Sequence, residues 1–149
     1  MKKYVILILL MVSTIWAVCP SHNLSIEEWE LMYRSICEVE SENNKQAING
    51  DAVGIIQIRP VYVQDLNRIY NASYSLEDRL CPVKSREMFE LFQSHYNPER
   101  NIEKAIKLHI LGPAIYRKNP ERCEWYLNRV MKVMNRKIKH YSLLNYQII

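Results

Sequence analysis

Apolar residues recur at helical spacing near the start of the chain. Trp29, Tyr33 and Ile36 form a stripe with Met32 beside it, and at about 100° per residue such a stripe marks one face of an amphipathic helix. Ser25 and Glu28 supply a Ser-x-x-Glu capping box, so the helix is predicted over residues 26–41. The polar run 42–46 then breaks the period and reads as a loop. Asn49-Gly50 is a hairpin signal, because both central residues of a type I′ turn need positive φ. Short strands are predicted on either side, at 46–48 and 52–54. Gly54 permits a close backbone approach or an unusual φ.

Proline punctuates the rest. Pro60 suits the first turn of a second helix at 60–70, and Pro82 opens a third at 82–95. Between them, Ser75-Leu76-Glu77-Asp78 caps a short turn. Met88, Leu91, Phe92 and His95 share one face of the third helix. A fourth is predicted to start at Asn97-Pro98, to bury Ile102, Ala105, Ile106 and His109, and to end at Gly112-Pro113. Asn119-Pro120 starts the last helix, to about Lys139, with Tyr126, Val130, Val133 and Met134 inward. The tail 140–149 carries no strong signal. Five or six helices and one hairpin make a mostly α (α+β) class with one small β-hairpin, and no linker divides residues 20–149 into two domains.

The first nineteen residues belong to a different pattern. Lys2 and Lys3 precede an apolar run from Tyr4 to Val12, and residues 13–19 are more polar with small residues. This is the layout of a signal peptide, and the run is short for a membrane span. A secreted or periplasmic protein is expected, membrane-anchored if the leader is retained, with cleavage after Ala17 or near Cys19. The formal net charge is +4. Without Lys2 and Lys3, 18 basic residues face 16 acidic ones and leave +2, too little to argue for nucleic acid. The basic run 129–139 fits the solvated face of the last helix, or a surface laid against anionic polymers or a membrane. A monomer is expected.

Export makes disulfides chemically open to Cys19, Cys37, Cys81 and Cys123. Loss of Cys19 with the leader would make the count odd. Cys81 with Cys123 is then one open pairing, and Cys37 on a helix also reads as a small core residue. The cysteine spacings do not resemble a zinc site, and His22, His95 and His140 have no partners at metal-ligand spacing. No cofactor or metal is called for.

Glu40 stands out. It lies four residues beyond Ile36, seven beyond Tyr33 and eleven beyond Trp29, within about 40° of all three around the helix axis. A carboxylate thus occupies a position where the pattern asks for an apolar side chain. Burial disfavours its charged form and predicts a raised pKa, which suits a general acid near neutral pH. The same spacing also fits a helix-end carboxylate leaning into water.

Four motifs in order resemble the lytic transglycosylase family, the goose-type-lysozyme-like enzymes that cleave peptidoglycan. Glu40-Ser41 resembles the family's Glu-Ser at a helix end. Gly54-Ile55-Ile56-Gln57 resembles its hairpin Gly-Leu-Met-Gln, with sixteen residues separating Glu40 from Gln57. His109-Ile110-Leu111-Gly112-Pro113 resembles its aromatic-Asn-small-Gly-Pro segment, and Tyr126-Leu127-Asn128-Arg129-Val130 its Tyr-x-x-x-Val. Asn49-Gly50-Asp51-Ala52 and Asp65-Leu66-Asn67-Arg68 are similar to a small-enzyme branch from bacteria and phages. The third motif departs from the pattern, with Ile110 where relatives carry the Asn.

The resemblance implies a lysozyme-like fold and peptidoglycan glycan strands as the partner. It implies cleavage between N-acetylmuramic acid and N-acetylglucosamine with formation of a 1,6-anhydro ring. Glu40 would be the only acid and base. Ser41, Gln57, Tyr126 and His109 would bind substrate or orient the carboxylate. Two other readings remain open: a non-catalytic relative that binds glycan or serves an envelope assembly, and a hydrolytic muramidase with Asp51 as second carboxylate.

Overall fold

The computed structural model describes residues 26–146. The leader, Cys19 and the capping Ser25 lie outside the described residues. Five α-helices, two 3₁₀ turns and one two-stranded hairpin follow in the order α1 (Ile26–Ser41), β1 (Ile48–Asn49), β2 (Ala52–Val53), α2 (Pro60–Tyr70), a 3₁₀ turn (Glu77–Leu80), α3 (Pro82–Tyr96), α4 (Ile102–Lys118), a second 3₁₀ turn (Pro120–Cys123) and α5 (Glu124–Tyr146). The class is mostly α with a small hairpin, as the periodicity predicts. No helix among the described residues is long and apolar enough to cross a membrane.

The α1 stripe enters one continuous core. Trp29, Met32, Tyr33, Ile36 and Cys37 are buried against Met88, Phe89 and Phe92 of α3, Ala105, Ile106 and Leu108 of α4, and Tyr126, Val130 and Met134 of α5. Each large apolar side chain so buried contributes about 1.5–3 kcal/mol. The most extensive packing of α1 is on α5, and this pairing brings the end of the first helix to the start of the last. Cys37 and Cys123 are buried and Cys81 is exposed, and all three thiols are free. A Cys81–Cys123 bridge is therefore not formed, because Cys123 is absorbed into the core.

Several boundaries differ from expectation. The fourth helix starts at Ile102 rather than at Asn97-Pro98, because two asparagines compete for the cap and Asn101 takes it, accepting from the Lys104 N–H at 2.8 Å. Asn97 is fully buried instead and closes the preceding turn: its side chain donates to Asn101 O at 2.9 Å and accepts from Asn101 N–H at 3.1 Å. His95 faces outward, and Phe89 and Gln93 take the interior face of α3. The break expected at Gly112-Pro113 is present: Gly112 has non-helical φ 68° and ψ 165°, and Pro113 starts a second helical segment that continues to Lys118. The last helix opens as a 3₁₀ turn and runs past Lys139 to Tyr146.

The hairpin is shifted by one residue. Ile48 pairs with Val53 and Asn49 with Ala52, so the turn residues are Gly50 and Asp51. Of these only Gly50 has positive φ, at 62°, the pattern of a II′ turn with glycine first. The chain then doubles back again. Val53 and Ile58 exchange backbone hydrogen bonds at 3.1 and 2.9 Å, which closes Gly54–Gln57 into a tight loop.

Candidate active site

Glu40 ends α1 one residue before its last. Its side chain is 15% exposed, and it reaches the start of α5 and the middle of α4. The Tyr126 hydroxyl donates to Glu40 Oε1 at 2.5 Å. His109 Nε2 lies 3.3 Å from the same oxygen. Tyr126 is 2% exposed and the His109 side chain 5%. Three sequence-predicted residues from three helices thus meet at one carboxylate oxygen. Oε2 carries no hydrogen bond from the described residues.

The electrostatics correct one expectation. Burial is the largest single influence on Glu40 and pushes its pKa up. The hydrogen bond and charge of the His109 imidazole, the Tyr126 hydroxyl and the positive charge of Arg129 together outweigh it, and the carboxyl ends below the ordinary value of 4.5. Glu40 therefore rests as a carboxylate. Spacing along α1 captured the burial and not the donors, which arrive from elements far away in sequence. Arg129 was legible only as one cation in a basic run. Tyr126 moves the other way: burial and the Glu40 charge hold its phenol well above the ordinary range, so it remains a donor.

Ser41 and Gln57 serve the backbone. The Ser41 hydroxyl lies 3.1 Å from Cys37 O and 2.8 Å from Ile55 O, and so fastens the end of α1 to the hairpin loop rather than orienting the Glu40 carboxylate. The Gln57 amide donates to Gly54 O at 2.9 Å and Ala47 O at 3.2 Å. Its N–H groups are spent on its own loop, where its backbone is left-handed at φ 52°; its amide oxygen is the atom left to meet a ligand. His109 faces Glu40 from inside the fold and is not a surface contact for a sugar. Ile110, by contrast, is 38% exposed.

A residue absent from sequence reasoning holds this loop. Arg79 is buried and donates to Leu76 O at 2.7 Å, Asp51 O at 2.9 Å and Ile58 O at 3.1 Å. Its own carbonyl accepts from the Ser85 hydroxyl at 2.8 Å and sits over Gly54. A Cβ on Gly54 would fall 1.9 Å from that carbonyl oxygen, so the motif glycine answers both a positive φ and a close approach. A charged residue in a short 3₁₀ turn gives no periodic signal by which to find it.

Asp51 is solvent-exposed on the hairpin turn, with Arg59 3.8 Å away. Two surface cavities, of about 470 and 310 Å³, are lined by residues including Trp29, Glu90 and Arg100, and by Arg136, Lys137, His140 and Tyr141. Neither includes Glu40; Trp29 is eleven residues away along α1, about 16 Å at 1.5 Å per residue. Among the described residues no cluster of His, Cys, Asp and Glu is arranged to hold a metal.

No family model, curated protein or solved structure matches the chain.

Proposed function

We propose that the protein is a peptidoglycan lytic transglycosylase with Glu40 as its acid and base. The observation that carries this reading is a sheltered carboxylate at a helix end, held on one oxygen by Tyr126 and His109 and joined through Ser41 to a Gly-x-x-Gln hairpin loop.

In the reaction, protonated Glu40 gives its proton to the glycosidic oxygen as the bond from that oxygen to the muramyl C1 breaks. The substrate N-acetyl oxygen shares the positive charge that forms at C1. The Glu40 carboxylate then takes the proton of the muramyl 6-hydroxyl as that oxygen bonds to C1. The 1,6-anhydro ring closes, no water is consumed, and Glu40 ends protonated as it began.

The lowered pKa sets a demand. A carboxyl held below the ordinary carboxylate range is almost wholly ionised at neutral pH, so the acid form it must start from is scarce. A glycan strand over the remaining exposed part of Glu40 strengthens the burial effect, already the largest influence, and raises the pKa toward the working range. Activity on the acid side of neutrality is the direct consequence.

The test is product analysis. Purified sacculi digested with the protein should release anhydro-muropeptides by mass spectrometry, and Glu40→Gln should release none while keeping its circular dichroism. Reducing ends in place of anhydro ends overturn the lyase reading in favour of a hydrolase. Glycan binding without release favours the non-catalytic reading, which draws on Gln57 turned onto its own loop and on Ile110 in the third motif.

A further inference from the structure

The reaction above gives His109 no task. Its Nδ1 is buried and has no hydrogen-bond partner. Phe89 of α3 stands edge-on at 6.1 Å between ring centroids, and Tyr126 of α5 is at 6.4 Å. The titratable and charged groups around the pair are few: Glu40 and, behind Tyr126, Cys37 from α1, and Tyr126 and Arg129 from α5. Burial pushes the Cys37 thiol up to about 11, so it carries no charge near neutrality. From α3 the ring meets the apolar Phe89.

The contact with Oε1 fixes how the ring is used. A contact from Nε2 to a carboxylate oxygen needs a proton on Nε2. Two donors, the Tyr126 O–H and the His109 N–H, then converge on Oε1. A proton placed on Oε1 would point at one of them. Oε2 has no such donor.

We propose that His109 is a positioning residue which, with Tyr126, clamps Oε1 so that Oε2 is the oxygen that carries and recovers the proton. The activity part of this inference rests on the lytic reading; the clamp on Oε1 through the Nε2 proton does not. The clamp fixes the carboxyl plane, and His109 contributes without touching the sugar.

The experiment has two arms. In ¹⁵N spectra of the purified protein near neutral pH, the ring signals assigned to His109 by their loss in His109→Gln should show a protonated Nε2. An Nε2 without a proton overturns the proposal whether or not the protein cleaves glycan. In the second arm, His109→Leu should lower kcat by about 10–100-fold with KM nearly unchanged, and should move the descending limb of the pH profile to higher pH because Glu40 loses a donor. His109→Gln keeps an N–H at the position of Nε2 and should recover most of the rate. A His109→Leu pH profile superimposable on the wild type overturns the clamp. Absence of cleavage by the wild type sinks the lytic reading alone, and the spectra still decide whether Nε2 carries the proton the clamp needs.

Discussion

The Tyr126 hydroxyl donates to Glu40 Oε1 at 2.5 Å across 86 residues of sequence. It is a charge-assisted bond in a nearly water-free place, where such bonds are short and strong. Tyr126→Phe keeps the ring in the core and removes only the oxygen. The expected loss is about 1.5–3 kcal/mol of stability at neutral pH, read from urea unfolding. The Glu40 carboxyl loses a donor, so its pKa rises and the descending limb of the pH–rate profile moves to higher pH. An unchanged unfolding midpoint and an unchanged limb would mean that the hydroxyl does not sit on the carboxylate in solution.

Acid should unfold the protein through the same group and two others. Glu40, Glu38 and Glu30 all lie below the ordinary carboxyl value of 4.5. For Glu38 the cause is Lys137 first and then Arg136; for Glu30, burial works upward and is outweighed by Arg34 and Arg86. A carboxyl with a depressed folded-state pKa contributes stability that is complete above its unfolded pKa and is lost as pH falls through its folded pKa. The melting temperature should therefore be level above about pH 5 and fall below about pH 4. Glu40→Gln should flatten part of that fall. A melting temperature that rises on acidification through this window would contradict the assignment.

Gly54 and Gly50 both have positive φ, at 83° and 62°, and differ in what surrounds them. Nothing lies within 4 Å of a Cβ on Gly50, so Gly50→Ala should cost only the backbone term of about 1–2 kcal/mol. Gly54→Ala adds a collision with the Arg79 carbonyl, a backbone atom that cannot swing aside. Its cost should exceed that of Gly50→Ala by more than about 2 kcal/mol. Equal losses in thermal unfolding would show that the loop does not press on Arg79.

The contrast between these two glycines also shows what a linear reading can reach. The bounds of α1 and α2 were legible because a cap or an N1 proline and an apolar period agree there. The hairpin was legible as an element but not in register, since Asn49-Gly50 and Gly50-Asp51 are both plausible turns and only strand pairing separates them. The start of α4 was missed because Asn97 and Asn101 carry the same cap chemistry, and burial of Asn97 decides between them. At the site, the period along α1 marked Glu40 as sheltered. The direction of its pKa was not legible, because it depends on donors from α4 and α5 that no local pattern brings near. For Ser41 and Gln57 the residue types were informative and the roles were not: both side chains could meet backbone or ligand, and the tight loop claims them.

Arg79 gives the last prediction, because it ties that loop to the rest of the fold. It is 8% exposed, and its guanidinium bridges Leu76 O, Asp51 O and Ile58 O from three separate places in the chain. Arg79→Lys keeps the charge but not the planar fork, and one ammonium cannot span those carbonyls. Arg79→Met removes the donors and leaves three carbonyls short of a partner. Arg79→Met should therefore lose about 3–5 kcal/mol and Arg79→Lys somewhat less. The effect should be local before it is global. The backbone N–H groups of Val53, Gly54 and Gln57, bonded to Ile58 O, Ala47 O and Gly54 O, should exchange with deuterium faster in both variants, while those in the middle of α1 keep their protection. If Glu40 acts beside this loop, glycan cleavage should fall in step with the exchange of those three amides rather than with overall stability. Activity that survives an open loop would separate the hairpin from the chemistry at Glu40.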